Sequence, residues 1–181
     1  MDSKSSSYNF TKLISENNLA QAWYATAVGN CQKCFVKFPS GKTHLTPEQV
    51  NALLSKSYIC QRLFYTSHIL KGRRKCWEND LIFIEYPYLD PERWHPLRAD
   101  LFWKYWPESI VQTGLIIDLI HHLQLVHLDL RIDNFQLDSN SAKPHIILSD
   151  MDFLTTSGTS LDAKILGTPE HIAPEIFKND I

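Results

Sequence analysis

The sequence predicts an α+β chain: a small antiparallel β lobe with one helix, followed by an incomplete, mainly helical C-terminal lobe. Three observations carry that expectation. From Tyr8 to Pro39, aromatic and β-branched residues come in short runs broken by turn residues. Thr46 to Phe64 reads as a single capped, one-faced helix. Glu108 to Leu125 reads as a long apolar helix, with strand-like runs after it.

Residues 1–7 are Ser-rich and polar, an expected disordered lead-in. Glu16-Asn17-Asn18 and Gly29-Asn30 divide the next stretch into three antiparallel strands, the last being Cys34-Phe35-Val36-Lys37-Phe38. Thr46 can cap the first helix, Pro47 suits its first turn, and Gln49 can complete a capping box. Val50, Leu53, Leu54, Ser57, Tyr58, Gln61 and Phe64 then fall on one face. Lys71-Gly72-Arg73-Arg74-Lys75 is expected to turn a hairpin, being too short and isolated for a nucleic-acid site. Leu81 to Tyr86 reads as a buried strand stopped by Pro87. Residues 91–106 form a Pro-punctuated connector whose Trp94, Trp103 and Trp106 are assigned to core packing. The helix after it is apolar almost all round and is expected in the middle of a domain. Phe135-Gln136-Leu137 and His145-Ile146-Ile147-Leu148 make a hairpin that delivers Ser149-Asp150-Met151-Asp152.

With 181 residues, 44% apolar and 21% charged, the chain is long enough for one globular core. A formal net charge of -2 gives no electrostatic case for nucleic acid or an anionic membrane. No apolar run approaches the ~20 residues that span a bilayer. The first ten residues lack an apolar signal core, so a cytoplasmic location is the expectation, with reduced thiols. Cys31 and Cys34 have zinc-like spacing but no second pair to complete a site.

The chemistry centres on His127-Leu128-Asp129-Leu130-Arg131-Ile132-Asp133-Asn134. An Asp and an Asn five residues apart in one loop can divide two jobs. The carboxylate accepts the proton of an attacking hydroxyl, and the amide oxygen holds Mg²⁺. A His-Asp turn with a capping Asn has the same spacing, so the other motifs must decide. They come in order: a strand lysine in Phe35-Val36-Lys37, a capped helix, a strand ending Ile84-Glu85-Tyr86, and a long helix. His127-x-Asp129-x-x-x-x-Asn134, Asp150-Met151-Asp152 and Gly167-Thr168-Pro169-Glu170…Ala173-Pro174-Glu175 follow.

That ordered set resembles a eukaryotic-type Ser/Thr protein kinase domain across about residues 8–178, with an N-lobe at 8–86 and a partial C-lobe at 87–181. The resemblance implies ATP and Mg²⁺ as cofactors and a protein as substrate or partner. It assigns Lys37 to the α- and β-phosphates and the backbone of Glu85 and Tyr86 to adenine, with Ile84 as gatekeeper. Ile14 to Ala25 aligns with the Gly-rich loop, which places Ile14 and Ala22 among the nucleotide-binding residues. Asp129 matches the catalytic base, Arg131 the cation for the γ-phosphate, and Asn134 and Asp150 the metal ligands. Arg131 and Thr168 favour Ser/Thr over Tyr as the acceptor.

The chain departs from the pattern at several points. Ser15, Asn17 and Ala20 stand where the loop has glycines, which loosens the cover over the γ-phosphate. Glu48 lies in the first turn of its helix, whereas the family's lysine partner lies mid-helix, where this chain has Lys56 or Ser57. Lys37 is therefore expected to lack a helix glutamate and to meet Asp150. Leu128 replaces the arginine of H-R-D, and the sequence stops at Ile181, soon after Ala-Pro-Glu. Slow phosphoryl transfer is expected, together with association through the incomplete lobe, where Leu119 and Leu123 would be partly exposed or covered by a partner. Three readings stay open: a protein kinase, a weak or inactive nucleotide-binding or interaction module, and a small-molecule phosphotransferase.

Overall fold

The computed structural model describes residues 8–16, 20–40, 46–76, 82–140 and 143–158, with Thr168 and His171. The chain is α+β and divides into two compact units, Met1–Ile59 with Lys71–Leu89 and Cys60–Leu70 with Asp90–Ile181.

The first unit is built on an antiparallel sheet of β1 (Tyr8–Glu16), β2 (Ala20–Ala27), β3 (Lys33–Pro39), β4 (Arg73–Cys76) and β5 (Ile82–Pro87), in the order β1-β2-β3-β5-β4. Alternation along the strands gathers Tyr8, Ala25, Cys34, Val36 and Phe83 into a core on one face. Tyr8 meets Phe83 edge-on with ring centroids 5.6 Å apart. The helix α1 (Pro47–Gln61) starts as its sequence requires. The Gln49 amide N–H donates to Thr46 Oγ1 at 3.3 Å, and the Thr46 N–H donates to Gln49 Oε1 at 2.8 Å, a reciprocal capping box. Its Val50, Leu54 and Ser57 are buried, and Asn51 Oδ1 accepts the Ile82 N–H at 3.2 Å, which ties α1 to β5.

The basic run is not a turn. Arg73, Arg74 and Lys75 are β4 itself, paired with Glu85, Ile84 and Phe83. An edge strand bonds through its backbone on one side, so it tolerates exposed charge at successive positions. Gly72, within that run, has a packing reason. A β-carbon there would lie 2.1 Å from Ile84 Cγ2.

The second unit contains β6 (Trp94–Pro96), α2 (Ala99–Lys104), α3 (Trp106–His122), β7 (Leu125–Val126), a 3-10 turn at Ile132–Asn134, β8 (Phe135–Asp138), β9 (His145–Leu148) and β10 (Thr155–Thr156). The strands form a β6-β8-β9 sheet and a β7-β10 pair. Glu108 opens α3 and His121 and His122 close it, both favourable to the helix dipole. Ile116, Ile120, Leu125, Leu137, Ile146, Leu148 and Met151 make the core, joined by Cys60 and Phe64 from the end of α1 and the loop after it.

Two expectations fail in this unit. The helix α3 is not buried all round. Ile116 and Ile120 are buried and Leu119 and Leu123 pack half-buried against the core, while Ile110, Val111 and Leu115 are 49, 58 and 60% exposed. A helix laid on one sheet can bury only one stripe, and apolar composition does not reveal which side has a neighbour. Nor are the tryptophans core residues as a group: Trp103 and Trp106 are 68 and 55% exposed, and only Trp94 is half-buried. Among the described residues, no helix is long and apolar enough to cross a membrane.

Candidate functional site

The second unit builds its site from the loop after β7. His127 is buried, and its Nδ1 accepts the Asp129 N–H at 3.4 Å. Leu128 has φ +66°, a left-handed conformation that costs a non-glycine residue about 1–2 kcal/mol. Asp150 has φ +55°. Such backbone persists where surrounding contacts over-determine it, and it is concentrated at functional sites.

Those contacts are present. Asn134 Nδ2 donates to the Asp129 carbonyl at 2.8 Å and closes the loop. The Asn134 carbonyl accepts both the N–H and the hydroxyl of Ser149 at 2.8 Å each, which holds the segment leading to Asp150 against the loop. The amide nitrogen of Asn134 is thereby committed, and its side-chain oxygen remains the group able to meet a cation.

Asp129 Oδ1 accepts two hydrogen bonds from Thr168, from its N–H at 2.9 Å and its hydroxyl at 2.8 Å. The same Thr168 hydroxyl accepts from Arg131 Nη1 at 2.9 Å. Arg131 also grips Asp133, Nε to Oδ1 at 3.0 Å and Nη2 to Oδ2 at 2.6 Å. That bidentate bond to Asp133, followed by the fields of Asp133, Asp129 and Asp150, raises the pKa of the guanidinium above its usual value. One carboxylate oxygen of Asp129 is thus tethered. Among the described residues, none bonds the other oxygen, Oδ2.

In the first unit, sheet register aligns Ala22, Lys37 and Ile84 in one cross-strand row. Lys37 is only 6% exposed. Tyr86 shares this face and stacks on Phe35, with centroids 5.0 Å apart and planes 15° apart. Glu85 points to the opposite face, where its carboxylate accepts the Tyr8 hydroxyl. Burial, then that bond, pushes the Tyr8 pKa up. Ile14 is 42% exposed and lies at a register shift in β1. Of the glycine-aligned positions, Ser15 pairs with Ala22, Ala20 is buried in β2, and Asn17 lies outside the described residues. Glu48 is exposed, its pKa lowered by a hydrogen bond to Thr46. At the mid-helix positions Ser57 is buried and Lys56 half-buried.

The structure therefore gathers Asp129, Arg131, Asn134 and the approach to Asp150 in the second unit, and Ala22, Lys37, Ile84 and Tyr86 on one face of the first. Gly167, Pro169, Glu170 and Ala173-Pro174-Glu175 lie outside the described residues. Sequence reasoning did not find Thr168 as the residue that tethers Asp129, although its place in the Gly-Thr-Pro-Glu run was a signal. Nothing in the sequence marked the Tyr8–Glu85 bond.

No family model matches the chain. Over about a third of its length it is similar to Ser/Thr protein kinases. It is 39% identical over 61 residues to serine/threonine-protein kinase dkf-2 of Caenorhabditis briggsae, covering 33% of this chain and 5% of that protein. It is 40% identical over 72 residues to serine/threonine-protein kinase MRCK beta of Homo sapiens, covering 38% and 4%. It is 37% identical over 63 residues to the cAMP-dependent protein kinase catalytic subunit of Schizosaccharomyces pombe, covering 35% and 12%. The chain spans at most 12% of the length of these relatives.

Proposed function

We propose that the chain binds Mg²⁺-ATP and transfers phosphate to a Ser or Thr hydroxyl of a protein. The single observation that carries this reading is the Asp129 carboxylate, tethered at one oxygen by Thr168 in a loop closed by Asn134. An oriented carboxylate with a second oxygen to spare can align a hydroxyl and take its proton. Arg131, bonded to Thr168, supplies a cation beside that hydroxyl and is assigned to the γ-phosphate. Asn134 and Asp150 offer oxygen donors, which suit Mg²⁺, a hard cation that needs few protein ligands when phosphates and waters complete its shell. Bound Mg²⁺-ATP supplies the phosphoryl group and neutralises its developing charge. Lys37 is assigned to the α- and β-phosphates and Ala22, Ile84 and Ile14 to the nucleotide surface. Glu85 and Tyr86, at the end of β5, are assigned to adenine through their backbone.

A second reading, a nucleotide-binding module with weak or no transfer, is favoured by one specific feature. Ser15 and Ala20 occupy strand positions where a glycine would let the backbone approach a phosphate closely. Radiolabel transfer from ATP to a generic Ser/Thr peptide separates the two. Transfer that Asp129→Asn reduces at least about a hundredfold supports the enzyme. Mg²⁺-ATP binding with transfer no faster than in Asp129→Asn selects the module.

A further inference from the structure

We infer that the exposed face of α3 is a self-association surface, on which a second copy of this chain packs antiparallel about a two-fold axis near Val111. The face begins in α2 with Trp103 and continues through Trp106, Ile110, Val111 and Leu115, each about half exposed or more. Positions 106, 110, 111 and 115 follow helical spacing, so they make one stripe on the side away from the buried Ile116 and Ile120. From Ser109 to Ile117 the sequence carries no charge. None of these residues is among those assigned to nucleotide, metal or acceptor.

The area fits a small, reversible interface. Two tryptophans exposed by more than half offer roughly 300 Å². Ile110, Val111 and Leu115 add roughly 150 Å², judged from the area that an aliphatic side chain buries. Monomeric proteins rarely expose a contiguous apolar patch beyond a few hundred Å², and larger ones mark interaction sites. Doubled across a two-fold axis and joined by its polar rim, this patch reaches the roughly 1,000 Å² that a specific interface needs, at the low end where association is weak.

Charge at the two ends of the stripe selects a second copy as the occupant. Lys104 closes α2 just before it, and Asp118 lies one turn beyond Leu115; both are exposed. Each is seven residues from Val111. Rotation by 180° about Val111 therefore sets Lys104 of each copy against Asp118 of the other, the isologous arrangement of a two-fold dimer. Parallel pairing would instead set like charges side by side. The flexible four-carbon stem of Lys104 can span the break between α2 and α3 at Tyr105, over whose ring its ammonium lies at 5.0 Å. The same rotation opposes Pro107 to Leu115 and Glu108 to Gly114. A β-carbon at Gly114 would meet nothing within 4 Å, so Glu108, the charge inside the limits of the stripe, meets an open position.

The test is sedimentation equilibrium of the full chain across micromolar concentrations, without nucleotide. The weight-average mass should rise from that of one chain toward that of two and go no further. Val111→Glu puts two carboxylates at the axis and should hold the chain monomeric while its urea midpoint is kept. Lys104→Glu and Asp118→Lys should each weaken the dimer about tenfold, since each turns two attractive pairs into repulsive ones. The double variant Lys104→Glu/Asp118→Lys should restore it, an outcome that a merely sticky surface would not give. A chain that stays monomeric at all concentrations, or a dimer indifferent to Val111→Glu, overturns the proposal. So does a double variant no better than either single one.

Discussion

Gly72→Ala is the substitution whose effect can be worked most directly from the structure. The added β-carbon would sit 2.1 Å from Ile84 Cγ2, 3.0 Å from Tyr86 Cε1 and 3.1 Å from Tyr86 Cζ. Carbon atoms pack at about 3.5–4.0 Å, so the overlap with Ile84 is roughly 1.5 Å. Neither neighbour has free room, since Ile84 is 0% and Tyr86 3% exposed. Overpacking of this kind costs about 1–3 kcal/mol. Restricting the unfolded chain returns about 0.4–1 kcal/mol, so a net loss of about 1–2 kcal/mol is expected. For a chain of this size that lowers Tm by about 2–8 °C. The assay is urea unfolding followed by tryptophan fluorescence, with the slope unchanged and the midpoint reduced. Because Ile84 and Tyr86 share the Lys37 face, Mg²⁺-ATP affinity should fall as well. A midpoint equal to or above that of the wild type would refute the packing account of Gly72.

The remaining expectations are compact. Gly114 lies inside α3, and a β-carbon added there would meet nothing within 4 Å, so Gly114→Ala should stabilise by about 0.5–1 kcal/mol in the same assay. Gly158 has open space but φ +75°, so Gly158→Ala should instead cost about 1–2 kcal/mol; equal effects at the two glycines would contradict the backbone argument. Thr46→Ala removes half of the capping box and should cost about 1 kcal/mol by urea unfolding, and no loss would mean that α1 does not depend on its cap. The bond from Arg93 Nε to Asp138 Oδ1, 2.9 Å, lowers the Asp138 pKa. Its stabilisation is therefore full above the unfolded value of about 3.9 and is lost as pH falls through the lower folded value. Asp138→Asn should melt below the wild type at pH 7 and converge with it at acid pH, whereas a gap independent of pH would refute the linkage.

What the sequence disclosed was whatever local chemistry decides. Thr46 and Gln49 cap α1 because their side chains reach backbone groups three residues away. The break that Glu16-Asn17-Asn18 marked in the sequence agrees with β1 ending at Glu16 and β2 beginning at Ala20. Pro87 stops β5 because it lacks an N–H. What stayed hidden depends on neighbours remote in sequence. Whether Val111 or Ile116 faces the core is set by the position of β9, and composition treats the two alike. Lys71 to Lys75 looked like a turn because the strand that claims Arg73 and Lys75 begins several residues later. The site divides in the same way. Asp129, Asn134 and their spacing were legible, while Thr168, 39 residues from Asp129, reaches its carboxylate through tertiary structure alone.

The most direct measurement of the central claim is calorimetric titration of the wild type and of Asp150→Asn with ATP, each with and without Mg²⁺. The proposed site requires ATP affinity that rises with Mg²⁺ in the wild type and loses that dependence in Asp150→Asn. ATP binding of equal strength under all four conditions would contradict it.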